Sequence, residues 1–199
     1  GKVDDSSSTA AEENSKEEVV SNENEVKELK PLKIGASPNV VDAVTSMSDS
    51  LELEGYELEV IPFDDIVQPN VALGEGIIDG NFYQHRPYME SYNKDNNTNF
   101  HFVKPLMGSF TGIYSDKWGA LSDIPDNAQI GIYRDSTNQH RALKLAEEEG
   151  LLILSDVEEG SLYTLLDIKD NPKNIELIPL DGPGLTSGLG DLDAVFQAS

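Results

Sequence analysis

From Leu32 onward the chain repeats one pattern: a short run of aliphatic and β-branched residues, a turn, then a stretch of helical period. Such alternation confines a chain to α/β architectures with a largely parallel sheet, because a parallel neighbour is reached only through a crossover, usually a helix. Strands are predicted at "LKIGA", "YELEVIPF", "IIDGNFY", "FHFVKPLMG", "FTGIYSD", "IGIY", "NIELIPL" and "LDAVFQAS". A helix is predicted to start at Pro38 or Asn39 and to stop at Gly55, with a short one in "QPNVALGEG". Pro87 suits the first turn of a helix "PYMESYNK", and Gly150 stops a helix that follows "RDST". "SLYTLLDI" is predicted as a further short helix and "GPGLTSGLG" as a glycine-rich loop.

Residues 1–31 differ from the rest. They contain no aromatic residue, and their Ser, Glu, Asn and Lys cannot bury enough apolar surface to offset the entropy of ordering, so a disordered acidic tether is expected. The plainer alternative is a ragged chain end.

Charge and composition remove several classes of function. A net charge of −23 repels nucleic acid and anionic membrane surfaces, so neither is an expected partner. The absence of cysteine rules out disulfides, thiolate metal sites and thiol nucleophiles, and the three histidines show no metal-ligating spacing. No metal and no cofactor is predicted. No apolar run approaches the ~20 residues that span a bilayer.

In open α/β sheets ligands sit outside the carboxyl ends of strands, which directs attention to the loops "SPN", "NFYQHRPY", "RDSTNQHR" and "QAS". In "RDSTNQHR", Ser136 or Thr137 is placed to cap the following helix, and Arg141 is expected in its first turn, where a guanidinium fork and backbone N–H groups would both suit a carboxylate. The competing reading pairs Arg141 with Glu147 or another surface acid. In "NFYQHRPY", Tyr83, His85 and Tyr88 are expected to line a pocket with flat apolar walls and polar tips, suited to an apolar or thioether side chain. Phe82 alone is better read as core, and Arg86 as solvated.

Four stretches, "FDDIVQPNVAL", "IIDGNFYQHRPYMESYNK", "DSTNQHRAL" and "DNPKNIELIPL", occur in an order and spacing that resemble the NlpA-type methionine-binding lipoproteins, the solute receptors of a bacterial methionine ABC importer. The resemblance runs from about Leu32 to Ser199. It implies a type II periplasmic-binding-protein-like fold: two α/β lobes, residues 32–112 and 113–199, closing over one amino acid. It implies that Tyr83, His85 and Tyr88 surround the ligand side chain, that Asn138 and Arg141 hold its α-amino and carboxylate groups, and that Gln197 takes the place of a backbone-contacting asparagine. The expected ligand is L-methionine or a related amino acid, and the expected partner is an ABC permease. The receptor is expected to be a monomer outside the cytoplasm, tethered by a lipidated cysteine upstream of Gly1.

The departures carry expectations too. Ile66 stands where the family has a tyrosine, removing an aromatic contact from the pocket, and Arg134 brings a new cation near its mouth. Family members continue past the "AVFQAS" strand to return to the first lobe, so a chain ending at Ser199 is expected to close less firmly on its ligand. Two other functions compete. One is an enzyme on the same scaffold with His85 as general base, for which no orienting partner or nucleophile is evident. The other is a surface scaffold with a degenerate pocket.

Overall fold

A computed structural model describes residues 28–198; most of the predicted tether therefore lies outside the described residues. Strand β1 (Lys30–Ala36) leads through a 3-10 turn at Pro38–Val40 into α1 (Val41–Thr45) and α2 (Ser48–Leu53), and β2 (Tyr56–Pro62) follows. Next come α3 (Gln68–Gly74), β3 (Gly80–Phe82) and α4 (Arg86–Asn96). The first sheet has the order β2-β1-β3 and is parallel throughout. Its core is Ala36, Val40 and Val44, with Ile34, Leu58, Val60 and Phe82 packed against them, so Phe82 is core as expected.

After α4 the chain passes once to the second sheet. There β4 (Thr111–Tyr114), β5 (Gln129–Tyr133), α5 (Ser136–Glu148), the short strands β6 (Ile153–Leu154) and β7 (Ile168–Asp170), β8 (Glu176–Leu180), α6 (Gly182–Gly188) and β9 (Ala194–Ala198) follow. The sheet order is β4-β9-β5-β8, with β4 antiparallel to β9 and the other pairs parallel; β6 and β7 form a separate antiparallel ribbon. Ile130, Ile132, Leu143 and Phe196 are completely buried where α5 covers this sheet. Gly131 sits on the other face, against α6: a methyl group added there would come within 2.9 Å of Leu185 Cδ2 and 3.1 Å of Val195.

Four expectations are corrected. The single helix after Pro38 is broken at Ser46 and Met47, because Ser46 Oγ donates to the Ala43 carbonyl at 2.7 Å and Ser48 Oγ to the Thr45 carbonyl at 2.8 Å, replacing the helical ladder with local turns. "FHFVKPLMG" is irregular chain and not a strand. Asn93 takes the place of a neighbouring strand by donating to the Phe100 carbonyl and accepting from the Phe100 N–H, both at 2.9 Å. "SLYTLLDI" contains only a 3-10 turn, Leu165–Asp167, closed by reciprocal bonds between Thr164 and Asp167, before β7. The predicted loop "GPGLTSGLG" contains helix α6, capped by Asp181, whose carboxylate accepts the Gly184 N–H at 2.8 Å. Its Leu185 is completely buried, and that burial outweighs the low helix propensity of the glycines.

Candidate functional site

The site begins with a side-chain amide cluster under the loop after β3. Asn70 is completely buried on α3, and it exchanges two hydrogen bonds with Gln84: Asn70 Nδ2 to Gln84 Oε1 at 2.9 Å and Gln84 Nε2 to Asn70 Oδ1 at 2.8 Å. Asn81 Nδ2 adds a third, to Asn70 Oδ1 at 3.0 Å. With every polar atom of a buried amide paired, the chain at Gln84 has one favoured position, and Tyr83 and His85 on either side of it are held accordingly.

Tyr83 and Tyr88 meet edge to face, with ring centroids 6.3 Å apart. Both hydroxyls donate to one acceptor, the Ile66 carbonyl, at 2.9 and 3.1 Å. Burial pushes the Tyr83 phenol well above its ordinary range, and it pushes Tyr88 up to about 12, with the Asp135 and Asp65 carboxylates adding to the effect. Ile66 thus contributes through its main chain.

His85 is the N-cap of α4, with Nδ1 accepting the Tyr88 N–H at 3.0 Å. A nitrogen that accepts carries no proton, so Nε2 is the protonated one, and it lies 2.9 Å from Asn138 Oδ1 at the start of α5. Asn138 is oriented by Asp135, which also takes the capping role expected of Ser136 or Thr137. Asp135 is the true N-cap of α5: Oδ1 accepts the Asn138 N–H at 2.9 Å and the Thr137 hydroxyl at 2.9 Å, and Oδ2 accepts from Asn138 Nδ2 at 3.1 Å. Because α5 starts at Ser136, Arg141 falls in its second turn and not its first. Arg141 Nη1 donates to Asn138 Oδ1 at 3.3 Å and Nη2 to the Ser109 carbonyl at 3.0 Å. Glu147, the alternative partner, instead accepts the Leu154 N–H at 2.9 Å.

Five of the predicted residues therefore come together: Tyr83, His85, Tyr88, Asn138 and Arg141, with the Ile66 carbonyl behind the two tyrosines. Gln197 sits on β9 opposite Gly112, and its amide donates to Thr186 Oγ1 on α6 at 2.8 Å. Arg134 is exposed and donates to the Pro179 carbonyl at 3.3 Å. Arg86 is exposed, as expected, and lies over the Phe102 ring at 4.3 Å with Glu90 4.0 Å away. A cavity of about 240 Å³ opens beside the cluster, lined by Tyr88, Ser91, Tyr92 and Asp95 of α4 and by Asp135 and Thr137. A larger one of about 330 Å³ lies under Trp118, Leu121 and Leu145, and none of the predicted residues lines it. Among the described residues no group of His, Asp and Glu has the arrangement of a metal site.

Two residues central to the cluster escaped sequence reasoning. The signal for Asp135 was present, since an acid three residues before Asn138 at the head of a helix is a cap pattern. Asn70 gave no signal, because its partners lie 11 and 14 residues away.

Two parallel-rich sheets joined by a polar and aromatic cluster define a periplasmic-binding-protein-like α/β fold of two lobes. The NlpA lipoprotein family matches residues 32–198, and the chain belongs to that family. It is 36% identical over 163 residues to the D-methionine-binding lipoprotein MetQ of Salmonella typhimurium, covering 79% of this chain and 57% of that protein. Among solved structures it is similar to the substrate binding protein of a methionine transporter from Streptococcus pneumoniae, with a TM-score of 0.79, 30% identity and coverage of 84% of this chain and 67% of that one. It is also similar to a nutrient binding protein from Burkholderia cenocepacia bound to methionine, with a TM-score of 0.72, 31% identity and coverage of 83% and 70%. The chain thus spans a little over half the length of the curated relative.

Proposed function

We propose that the chain is a solute-binding lipoprotein that captures a free amino acid, methionine first among candidates, and delivers it to an ABC permease outside the cytoplasm. The observation that carries this reading is the cluster of Arg141, Asn138 and His85 beside the paired rings of Tyr83 and Tyr88. Arg141 supplies a fork for the α-carboxylate. Asn138 Oδ1 is an acceptor and suits the α-ammonium group in exchange for its bond to His85. The two tyrosine rings turn their hydroxyls onto Ile66 and leave apolar faces for a thioether side chain. The names of the relatives in Salmonella and Streptococcus point to the same ligand class. Residues 1–31 serve in this reading as the tether to a lipid anchor, and the receptor works as a monomer.

The reading is a binding protein and not an enzyme. Both ring nitrogens of His85 are committed, one as a helix cap and one to Asn138, which leaves no free base to take a proton from a substrate. Mass spectrometry of small molecules released on denaturing the purified protein tests the proposal. Methionine in near-stoichiometric amount supports it. Turnover of an amino-acid derivative abolished by His85→Ala would replace it with the enzymatic reading.

A further inference from the structure

The pair Asn138 and His85 is polarised by a residue that has no place in the ligand set. Carboxylate oxygens only accept, so Asp135 Oδ2 at 3.1 Å fixes the Asn138 amide with Nδ2 turned inward and Oδ1 turned toward His85 Nε2 and Arg141 Nη1. The backbone N–H of Tyr88 fixes the other end of the chain by requiring an unprotonated Nδ1 on His85. Every bond from Asp135 to Tyr88 therefore has a single allowed direction.

We propose that Asp135 is a positioning residue that sets the amino-group selectivity of the site. It makes the atom of Asn138 facing the cluster an acceptor, and an acceptor there favours an α-ammonium group over a substituent without a positive charge. This rests on the amino-acid-binding reading above and deepens it by naming what distinguishes a free amino acid from its deaminated analogues.

Two variants separate this role from capping. Asp135→Asn keeps a cap oxygen for the Asn138 N–H but presents an NH₂ group to Asn138 Nδ2, which drives Asn138 to rotate and turn a donor toward the His85 Nε2–H. Asp135→Ser keeps the cap and removes the acceptor of the Asn138 Nδ2, leaving the amide only its contacts to His85 and Arg141. The probes are L-methionine and its α-hydroxy analogue, measured by calorimetry on the full chain, together with the ¹H shift of the His85 Nε2–H. The wild type is expected to prefer methionine by about tenfold or more, the range of one charge-assisted hydrogen bond. Both variants should lose most of that preference while melting within a few degrees of the wild type, and the His85 Nε2–H, kept in that tautomer by the Tyr88 N–H, should lose its hydrogen-bonded shift in Asp135→Asn. An unchanged preference in both variants overturns the proposal. Should the wild type bind neither probe, the amino-acid reading fails by itself, and the His85 Nε2–H proton decides about Asp135: a hydrogen-bonded shift that persists in Asp135→Asn overturns the positioning role, and its loss supports it.

Discussion

His85 Nε2 and Asn138 Oδ1 lie 2.9 Å apart and join the loop after β3 in the first sheet to the head of α5 in the second. The same histidine caps α4 through its other nitrogen, so one ring holds a helix end and a link between the two halves. A ligand that uses Asn138 must exchange with this bond.

The two duties of His85 can be separated by substitution. His85→Asn keeps a good cap for α4 and is too short to span to Asn138, so the stability measured by urea unfolding should stay within about 0.5 kcal/mol of the wild type. His85→Ala loses both and should cost about 1 to 2 kcal/mol. Equal losses in the two variants would mean that the link, not the cap, carries the stability.

Tyr83 and Tyr88 share one acceptor, and this makes their hydroxyls interdependent. Tyr83→Phe or Tyr88→Phe alone leaves the Ile66 carbonyl paired and should cost less than about 1 kcal/mol. The double variant leaves it without either donor and should cost more than the two single losses added, by about 1 kcal/mol. A double-mutant cycle by urea unfolding measures the difference.

The same two phenols give an alkaline limit. Both are held above their ordinary value by burial, Tyr88 at about 12, so the folded state keeps protons that the unfolded chain releases near pH 10. Their contribution is complete below about pH 10 and declines as the pH rises toward 12. Thermal melts between about pH 9 and 11 should show Tm falling, less steeply in the double phenylalanine variant.

His140 gives a limit on the acid side. Its Nδ1 accepts the Tyr163 N–H at 2.9 Å and its ring stacks on Tyr163 at 5.5 Å, while burial, then Lys144, lowers its pKa. A lowered histidine stabilises the fold fully above its unfolded value near 6.5, and the contribution is lost as the pH falls below that toward the folded value. Stability should decline on acidification from about pH 7 to 5, and His140→Gln, which can still accept from Tyr163, should flatten that slope.

Strands β1, β5, β8 and β9 were legible as short runs rich in β-branched and aliphatic residues, and β2 by its alternation of Tyr56, Leu58 and Val60 with Glu57 and Glu59. Helix α6 was not, because its stability comes from Leu185 buried against Gly131 and from the Asp181 cap, neither of which a count of glycines shows. The stretch after Phe100 misled for the opposite reason: its local preference is for strand, but it has no partner strand among the described residues, and at Phe100 the Asn93 side chain pairs both backbone groups instead. Tyr83, His85, Tyr88 and Arg141 were singled out from loop position and residue type, and Asn138 from the resemblance to the family. The part played by Ile66 was hidden because it acts through a carbonyl, which every residue possesses. The direction of the Asn138 amide was hidden because it depends on which oxygen of Asp135 lies where.

On the proposed reading, Arg141 and the tyrosine pair form one amino-acid site. Isothermal titration of ligand-stripped protein with L- and D-methionine, beside Arg141→Ala, tests it most directly. The account predicts saturable one-to-one binding by the wild type and a loss of about tenfold to a hundredfold in affinity in the variant, the value of a charge-assisted hydrogen bond. No saturable heat with either enantiomer, or equal affinity in the two proteins, would contradict it.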